Sequence, residues 1–208
     1  RDLRKLTSVG PLVAVLAFAG LAQFIMYSSW VLFTTFKFGW TPLQNGWSLA
    51  AVGVMSVIVQ GMLLGRLLRR FSPRRLAIMG LISSTVAYLL FGLATEGWMM
   101  FAVIGVNLLG GTVAASVQSL ISAAADNRSQ GETLGAVNSL TSLTAVFAPM
   151  LATPLLGMVS HLPKGDWRIG APFYFCAAVQ LLSMLVATRH FRRERRLASL
   201  SAAQSPAA

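Results

Sequence analysis

The chain has 208 residues, of which 55% are hydrophobic and 11% are charged, and its formal net charge is +11. Soluble domains carry about 25% charged residues, so this composition disfavours a soluble enzyme, a disordered chain and a coiled coil. The single cysteine excludes an internal disulfide framework, and one cysteine with two histidines leaves little for a metal site.

Six stretches without Asp, Glu, Lys, Arg or His follow one another along the chain. Each can hold about 20 apolar residues, which as a helix span the ~30 Å hydrocarbon core of a bilayer. Lipid cannot satisfy exposed backbone groups, and the alternating segments of a membrane barrel are absent, so helices are expected. The sequence therefore predicts an all-α membrane protein with six transmembrane helices, near residues 11–36, 46–68, 76–95, 99–122, 134–159 and 171–188.

The basic residues predict the orientation of these helices. Fourteen of the 17 Lys and Arg fall on one side of a six-helix topology: Arg1, Arg4, Lys5, Arg66, Arg69, Arg70, Arg74, Arg75, Arg128, Arg189, Arg192, Arg193, Arg195 and Arg196. Only Lys37, Lys164 and Arg168 lie on the other side. Because basic loops stay on the cytoplasmic side, we expect an inner (plasma) membrane protein with both termini in the cytoplasm.

The net charge is thus a signal of topology, with some affinity for anionic lipid, and not of nucleic-acid binding. Residues 191–208 are expected to form a basic, disordered cytoplasmic tail. On the outer side, Trp40, Trp47, Trp98 and Trp167 are expected to form an aromatic belt at the membrane interface.

Polar, uncharged residues recur at helical spacing on four of the six helices. The candidates for a substrate cavity are Gln23, Tyr27, Ser56, Gln60, Asn107, Gln118, Asn138 and Thr141. We interpret helices one, two, four and five as lining this cavity, and helices three and six as facing lipid. The alternative interpretation is that these side chains only form hydrogen bonds between neighbouring helices.

No ionisable side chain lies in the middle of any predicted span. Proton relays within membranes need Asp, Glu or His, so a carboxylate that couples transport to protons would lie outside this chain or its spans. The sequence also lacks a phosphate-binding glycine loop, a metal-ligand cluster and an arrangement that would activate a nucleophile. We therefore expect neither an enzyme nor a bound cofactor or metal.

The loop from Gly65 to Arg75 contains five arginines. One interpretation is simple anchoring on the cytoplasmic side. The other is a structured turn whose arginines cap helix C-termini and pair with acidic groups, of which Asp126 and Glu132 are the candidates outside the termini.

Small residues spaced four apart indicate close helix packing in membranes. Gly61 with Gly65, and Gly131 with Gly135, form such pairs. The sequence therefore predicts close helix contacts at these glycines.

In the order and spacing of several sequence stretches, the chain resembles the major facilitator superfamily, and within it the tetracycline-type drug/proton antiporters. The run Ser28–Trp40 is similar to the end of their seventh helix, and Glu96–Trp98 to the turn between the ninth and tenth. The stretch from Gly110 through Gln118 and on to Pro149 is similar to their tenth and eleventh helices.

The arginine loop resembles the second copy of the superfamily's G-x-x-x-D-R-x-G-R-R motif. Gly65, Arg70 and Arg74 match, whereas Arg69 stands at the acidic position and Ser72 at the second glycine, and Arg75 follows. The tetracycline exporters carry a histidine in the eighth helix and an acidic residue in the ninth, and the corresponding positions here are near Ser56 and Ser84.

The resemblance implies the C-terminal six-helix half of a twelve-helix secondary-active efflux transporter. It would export tetracycline or another amphiphilic drug in exchange for protons by alternating access, and its partner would be an N-terminal six-helix half. The chain starts at Arg1, directly before a helix, which fits a start in the central cytoplasmic loop. The alternative is a truncated or decayed transporter fragment that acts as a non-transporting membrane domain.

Overall fold

The computed structural model describes residues 2–124 and 130–204, with side chains for residues 9–124 and 131–200. Within these residues, six helices are long and apolar enough to cross a membrane. In chain order they are α1 (Asp2–Phe38), α2 (Pro42–Arg70), α3 (Pro73–Leu93), α4 (Gly97–Ala124), α5 (Gln130–Val159) and α6 (Ala171–Gln204). The predicted fold class is confirmed. Arg1, Asp126 and Arg128 lie outside the described residues.

Helices α2 and α3 begin three or four residues before their predicted starts, because polar caps precede them. Thr41 and Gln44 form a capping box at the start of α2, in which Gln44 Oε1 accepts a hydrogen bond from the Thr41 backbone N–H over 2.9 Å. Ser72 caps α3, and proline occupies the first helical position of both helices. Helix α2 therefore starts at Pro42 and not near residue 46.

Two helices change their winding near the middle of the bundle. Helix α2 contains a π-helical segment, Ile58–Leu63, and α4 contains a 3₁₀ segment, Asn107–Thr112. These two segments contact each other. Wider π turns are common at functional sites, and the hydropathy pattern gave no sign of either segment.

Helices α3 and α6 are the most buried parts of the bundle. About half of the most apolar stretch of each is buried, against 11% for α2 and 17% for α5. One face of each helix is exposed and apolar, whereas the other face of α3 packs on α4 and α6, and that of α6 packs on α1 and α3. The exposed faces fit the expectation that α3 and α6 face lipid, but both helices are also part of the core.

The core contains two clusters, one toward each end of the bundle. Edge-to-face aromatic contacts dominate the first, where the Trp30 ring lies 5.0 Å from that of Phe91 and the Phe33 ring 4.6 Å from that of Phe173. The second is mainly aliphatic, with Val15, Leu81 and Val117 fully enclosed. The cavity described below lies between α1, α2, α3 and α4 beside these clusters.

The close helix contacts are not at the glycines that the sequence indicates. In the described structure, Gly61, Gly65, Gly131 and Gly135 have open space where a Cβ would stand. That prediction is wrong, because these glycines lie on exposed helix faces. The close approaches are instead at Gly80, Gly92, Gly97, Gly110 and Gly170.

Residues 191–204 are helical and not disordered. Helix α6 has 34 residues, a length of about 51 Å, and it therefore continues well beyond a ~30 Å hydrocarbon core. The expected disordered tail is wrong for residues 191–204, and residues 205–208 lie outside the described residues.

One of the four expected interfacial tryptophans is a core residue. Trp40 is 7% exposed and its ring lies 5.5 Å from that of Phe101, with Gly97 packed against its indole nitrogen. Trp47, Trp98 and Trp167 are about two-thirds exposed, as an interfacial position requires.

The arginine loop is a tight turn between α2 and α3, formed by Phe71 and Ser72. The acidic partner of Arg74 is Glu194 of α6, at 2.8 Å. Glu132, which the sequence analysis named, lies in the first turn of α5 and is exposed. The loop thus pairs with an acidic group, as the second interpretation expects, but that group is Glu194 near the C-terminus.

Candidate functional site

A cavity of about 290 Å³ opens into the bundle between α1, α2, α3 and α4, with contributions from α5 and α6. It brings together seven of the eight residues that the sequence indicates: Gln23, Tyr27, Ser56, Gln60, Asn107, Gln118 and Thr141. The eighth, Asn138, is exposed and lies outside the cavity lining, so its assignment is corrected.

One part of the buried lining, which we call the floor, comes largely from α3 and α6, the two helices expected to face lipid. The floor consists of Trp30, Ser84, Tyr88, Phe91 and Gln180. Helix α3 supplies Ser84, Tyr88 and Phe91, and α6 supplies Gln180. Ser84, Tyr88 and Gln180 are recognisable in the sequence as polar residues in apolar helices, but their spacing alone does not assign them to the cavity.

Trp30 is held in the floor by a hydrogen bond to the neighbouring helix. Its indole N–H donates to Ser48 Oγ over 2.9 Å, and Ser48 Oγ donates to the carbonyl of Asn45 over 2.8 Å. Thr34, one turn beyond Trp30, donates to Asn45 Oδ1 over 2.6 Å. These buried bonds join α1 to the start of α2 and fix the orientation of the Trp30 ring.

Asn107 and Gly110 shape the wall where α4 becomes a 3₁₀ helix. Ser83 Oγ donates to Asn107 Oδ1 over 3.2 Å, which ties α3 to α4. A Cβ on Gly110 would collide with Asn107 Oδ1 and Ser84 Oγ. Because Gly110 has no side chain, the polar ends of Asn107 and Ser84 can both lie close to its backbone.

The exposed part of the lining, which we call the rim, carries most of the predicted polar residues. Gln23 Nε2 donates to Tyr27 Oη over 3.3 Å along one face of α1. Gln60 and Gln118 are exposed at the mouth, and Thr141 Oγ1 donates to the carbonyl of Val137 on its own helix. The amides of the rim are thus available to a molecule entering the cavity.

The lining is polar but carries no strong charge. None of its residues is Asp, Glu, Lys, Arg or His. Ser56 and Ser84, at the positions that the resemblance relates to ionisable residues, both line the cavity. The arrangement therefore suits hydrogen bonding and aromatic contact with an organic molecule, and within the described residues it supplies no proton carrier.

The residues of the arginine loop lie elsewhere in the structure. Gly65, Arg69, Arg70, Arg74 and Arg75 are at the end of the bundle where α2 turns into α3, and none lines the cavity. We call this end of the bundle the basic end. At this end Arg74 also stacks near the ring of Phe191, and His190 Nε2 lies 3.4 Å from Glu194. The side chain of Arg74 therefore links the start of α3 to α6, and the loop residues lie outside the cavity lining.

Comparison with known proteins finds several tetracycline resistance proteins that match most of the chain. It is 35% identical over 146 residues to the tetracycline resistance protein, class D, of Salmonella ordonez, covering 70% of this chain and 37% of that protein. It is 32% identical over 178 residues to the class B protein of Escherichia coli, covering 84% and 43%. The class C protein of Escherichia coli is 29% identical over 175 residues, covering 84% and 44%.

The chain thus spans less than half the length of these curated relatives. The sequence model of the Major Facilitator Superfamily matches residues 12–207, which is nearly the whole chain. The six-helix architecture and this match agree, and the resemblance seen in the sequence is confirmed. The chain belongs to the Major Facilitator Superfamily.

Proposed function

We propose that the chain is the C-terminal half of a secondary-active efflux transporter that exports an amphiphilic, drug-like molecule by alternating access. The observation that carries this proposal is the cavity with an aromatic floor and an amide-lined rim. Apolar pockets with a few convergent polar groups are the usual binding sites for small organic molecules. The relatives are named tetracycline resistance proteins, and tetracycline is therefore one candidate substrate.

The size of the cavity supports a second bundle as partner. Its volume of about 290 Å³ is at the lower end of the ~300–1,000 Å³ of small-molecule sites. Helices α2 and α5 carry exposed apolar side chains, such as Val57 at 71% and Met158 at 72%. An N-terminal six-helix half would complete the cavity, and rocking of the two halves would expose it to each side in turn.

Coupling to protons is part of the same proposal, with the proton site in the partner half. The cavity lining of this chain has no carboxylate or imidazole. Ser56 and Ser84 stand where the resemblance expects ionisable groups. A tetracycline–metal chelate would therefore have to find its charged contacts in the other half, whereas a less polar amphiphile needs only the contacts present here.

We further propose that both termini lie in the cytoplasm of a cell with an inner (plasma) membrane. Six helices place the two ends of the chain on the same side of the bilayer. The arginines of the basic end, among them Arg69, Arg70 and Arg74, support the cytoplasm as that side.

The proposal is tested by measuring accumulation of tetracycline and of a fluorescent cationic dye in cells. The cells express this chain alone, or together with the N-terminal half of a tetracycline resistance protein. Reduced accumulation only on co-expression is expected. No change under either condition, with the chain shown to be in the membrane, would favour the non-transporting fragment.

A pair of variants links transport to the cavity. Gln118→Leu removes an amide from the rim and is expected to impair efflux without loss of membrane insertion. Asn138→Leu is the matched control, because the same change is made at an exposed amide outside the lining. Equal efflux by both variants would remove the cavity from the transport pathway.

A further inference from the structure

The floor of the cavity contains a buried polar group with no partner. Gln180 of α6 is 2% exposed and lines the cavity. Its side-chain oxygen, Oε1, accepts no hydrogen bond from the described residues. Four buried side-chain atoms lack a hydrogen-bond partner in the described structure, and Gln180 Oε1 is the one that belongs to the cavity lining.

Two other buried polar groups have partners within the chain. The N–H of Trp30, in the same floor, donates to Ser48. Ser183 lies one turn after Gln180 on the same buried face, and its hydroxyl donates to the carbonyl of Val15 over 2.9 Å. The lack of a partner is therefore a property of Gln180 and not of this side of α6.

A buried acceptor without a partner destabilises a fold, and native structures contain few of them. Such an atom is stabilised when a donor from outside the chain reaches it. Trp30, Tyr88 and Phe91 line the same cavity and supply aromatic surface, and the lining offers no acidic side chain that would bind a donor instead. The site thus matches a molecule with a hydrogen-bond donor at one end and an apolar body.

We propose that Gln180 is a substrate-binding residue that determines specificity, its Oε1 accepting a hydrogen bond from an N–H or O–H group of an amphiphilic ligand in the cavity. The apolar part of the ligand packs on the rings of Trp30 and Phe91. This inference rests on the proposed function and adds the chemical class of the substrate, which is an aromatic amphiphile with a free donor.

The test compares two probes of equal charge: naphthylmethylammonium, which has three N–H donors, and its bulkier N,N,N-trimethyl derivative, which has none. Binding to the full chain in lipid nanodiscs is measured by calorimetry. The wild-type chain is expected to prefer the primary ammonium ion. Gln180→Met, which keeps the length of the side chain, is expected to reduce this preference about three- to tenfold and to leave binding of the trimethyl probe unchanged, as loss of one hydrogen bond predicts.

Ser183→Ala is the control, because it changes a buried polar residue of the same face outside the cavity lining. It should keep the wild-type preference. Thermal unfolding of the unliganded chain separates binding from structure: Gln180→Met should unfold at the same temperature as wild type or higher, because it removes an unsatisfied buried acceptor.

Three results with the Gln180→Met variant would overturn the proposal. These are an unchanged preference in Gln180→Met, an equal loss of affinity for both probes, and unfolding of this variant without ligand. Binding of neither probe to the wild-type chain would overturn it as well. The proposed transport function fails on a different result, the absence of efflux on co-expression, so the two failures are distinguishable.

Discussion

Gly170, directly before α6, lies against the backbone of Gly92 at the end of α3. A Cβ on Gly170 would stand 2.7 Å from Gly92 Cα and 2.8 Å from its carbonyl carbon. This contact allows α3 and α6 to approach closely at the end of the bundle opposite the arginines. It also positions the two helices that form much of the cavity floor.

Gly170→Ala should therefore destabilise the bundle by about 1–3 kcal/mol, because backbone atoms cannot move aside as a flexible side chain can. Thermal unfolding of the purified chain measures the effect. Gly61→Ala is the matched control, since the same methyl group enters open space there and alanine favours a helix. Equal unfolding temperatures for the two variants would contradict the contact.

Ser48→Ala should lower the free energy of unfolding by about 1–3 kcal/mol, because it leaves the buried indole N–H of Trp30 without an acceptor. The measurement is a double-mutant cycle with Trp30→Phe, which removes the donor. In the Trp30→Phe background the serine substitution should cost less. If its cost is the same in both backgrounds, the two residues are not coupled.

Glu194→Gln should have a small effect on stability, at most about 1 kcal/mol, because Arg74 and Glu194 are 42% and 29% exposed and solvent screens the pair. Thermal unfolding at low and high salt tests this, since the difference from wild type should shrink as salt increases. The exchanged pair Arg74→Glu with Glu194→Arg should recover stability at low salt. A large loss independent of salt would indicate that Glu194 acts through contacts other than this ion pair.

The orientation can be measured with single cysteines and a thiol reagent that does not cross membranes. Ser199→Cys, at the exposed end of α6, should be labelled only in permeabilised cells, and Lys164→Cys, in the opposite loop, should be labelled in intact cells. The native Cys176 is fully buried and should give little background. The reverse labelling pattern would place the termini outside the cytoplasm.

The sequence by itself determines the six helices, because a run of about 20 apolar residues without charge has one stable arrangement in lipid. It also predicts most of the rim. Gln23, Tyr27, Gln60 and Gln118 repeat along helix faces, and such polar residues in a membrane helix turn toward protein or water and not lipid. Capping residues such as Thr41 and Ser72 are also local features of the sequence, but hydropathy does not detect a polar residue that begins a helix.

The floor of the cavity was decided only by the tertiary structure. Gln180 and Tyr88 belong to the few polar residues of two apolar helices, and hydropathy does not distinguish a buried position from a lipid-facing one when both surroundings are apolar. Gly92 and Gly170 meet across 78 residues of sequence, so spacing within a helix cannot reveal them. Hydropathy predicts which segments lie in the membrane, whereas the contacts of each residue depend on how all six helices pack together.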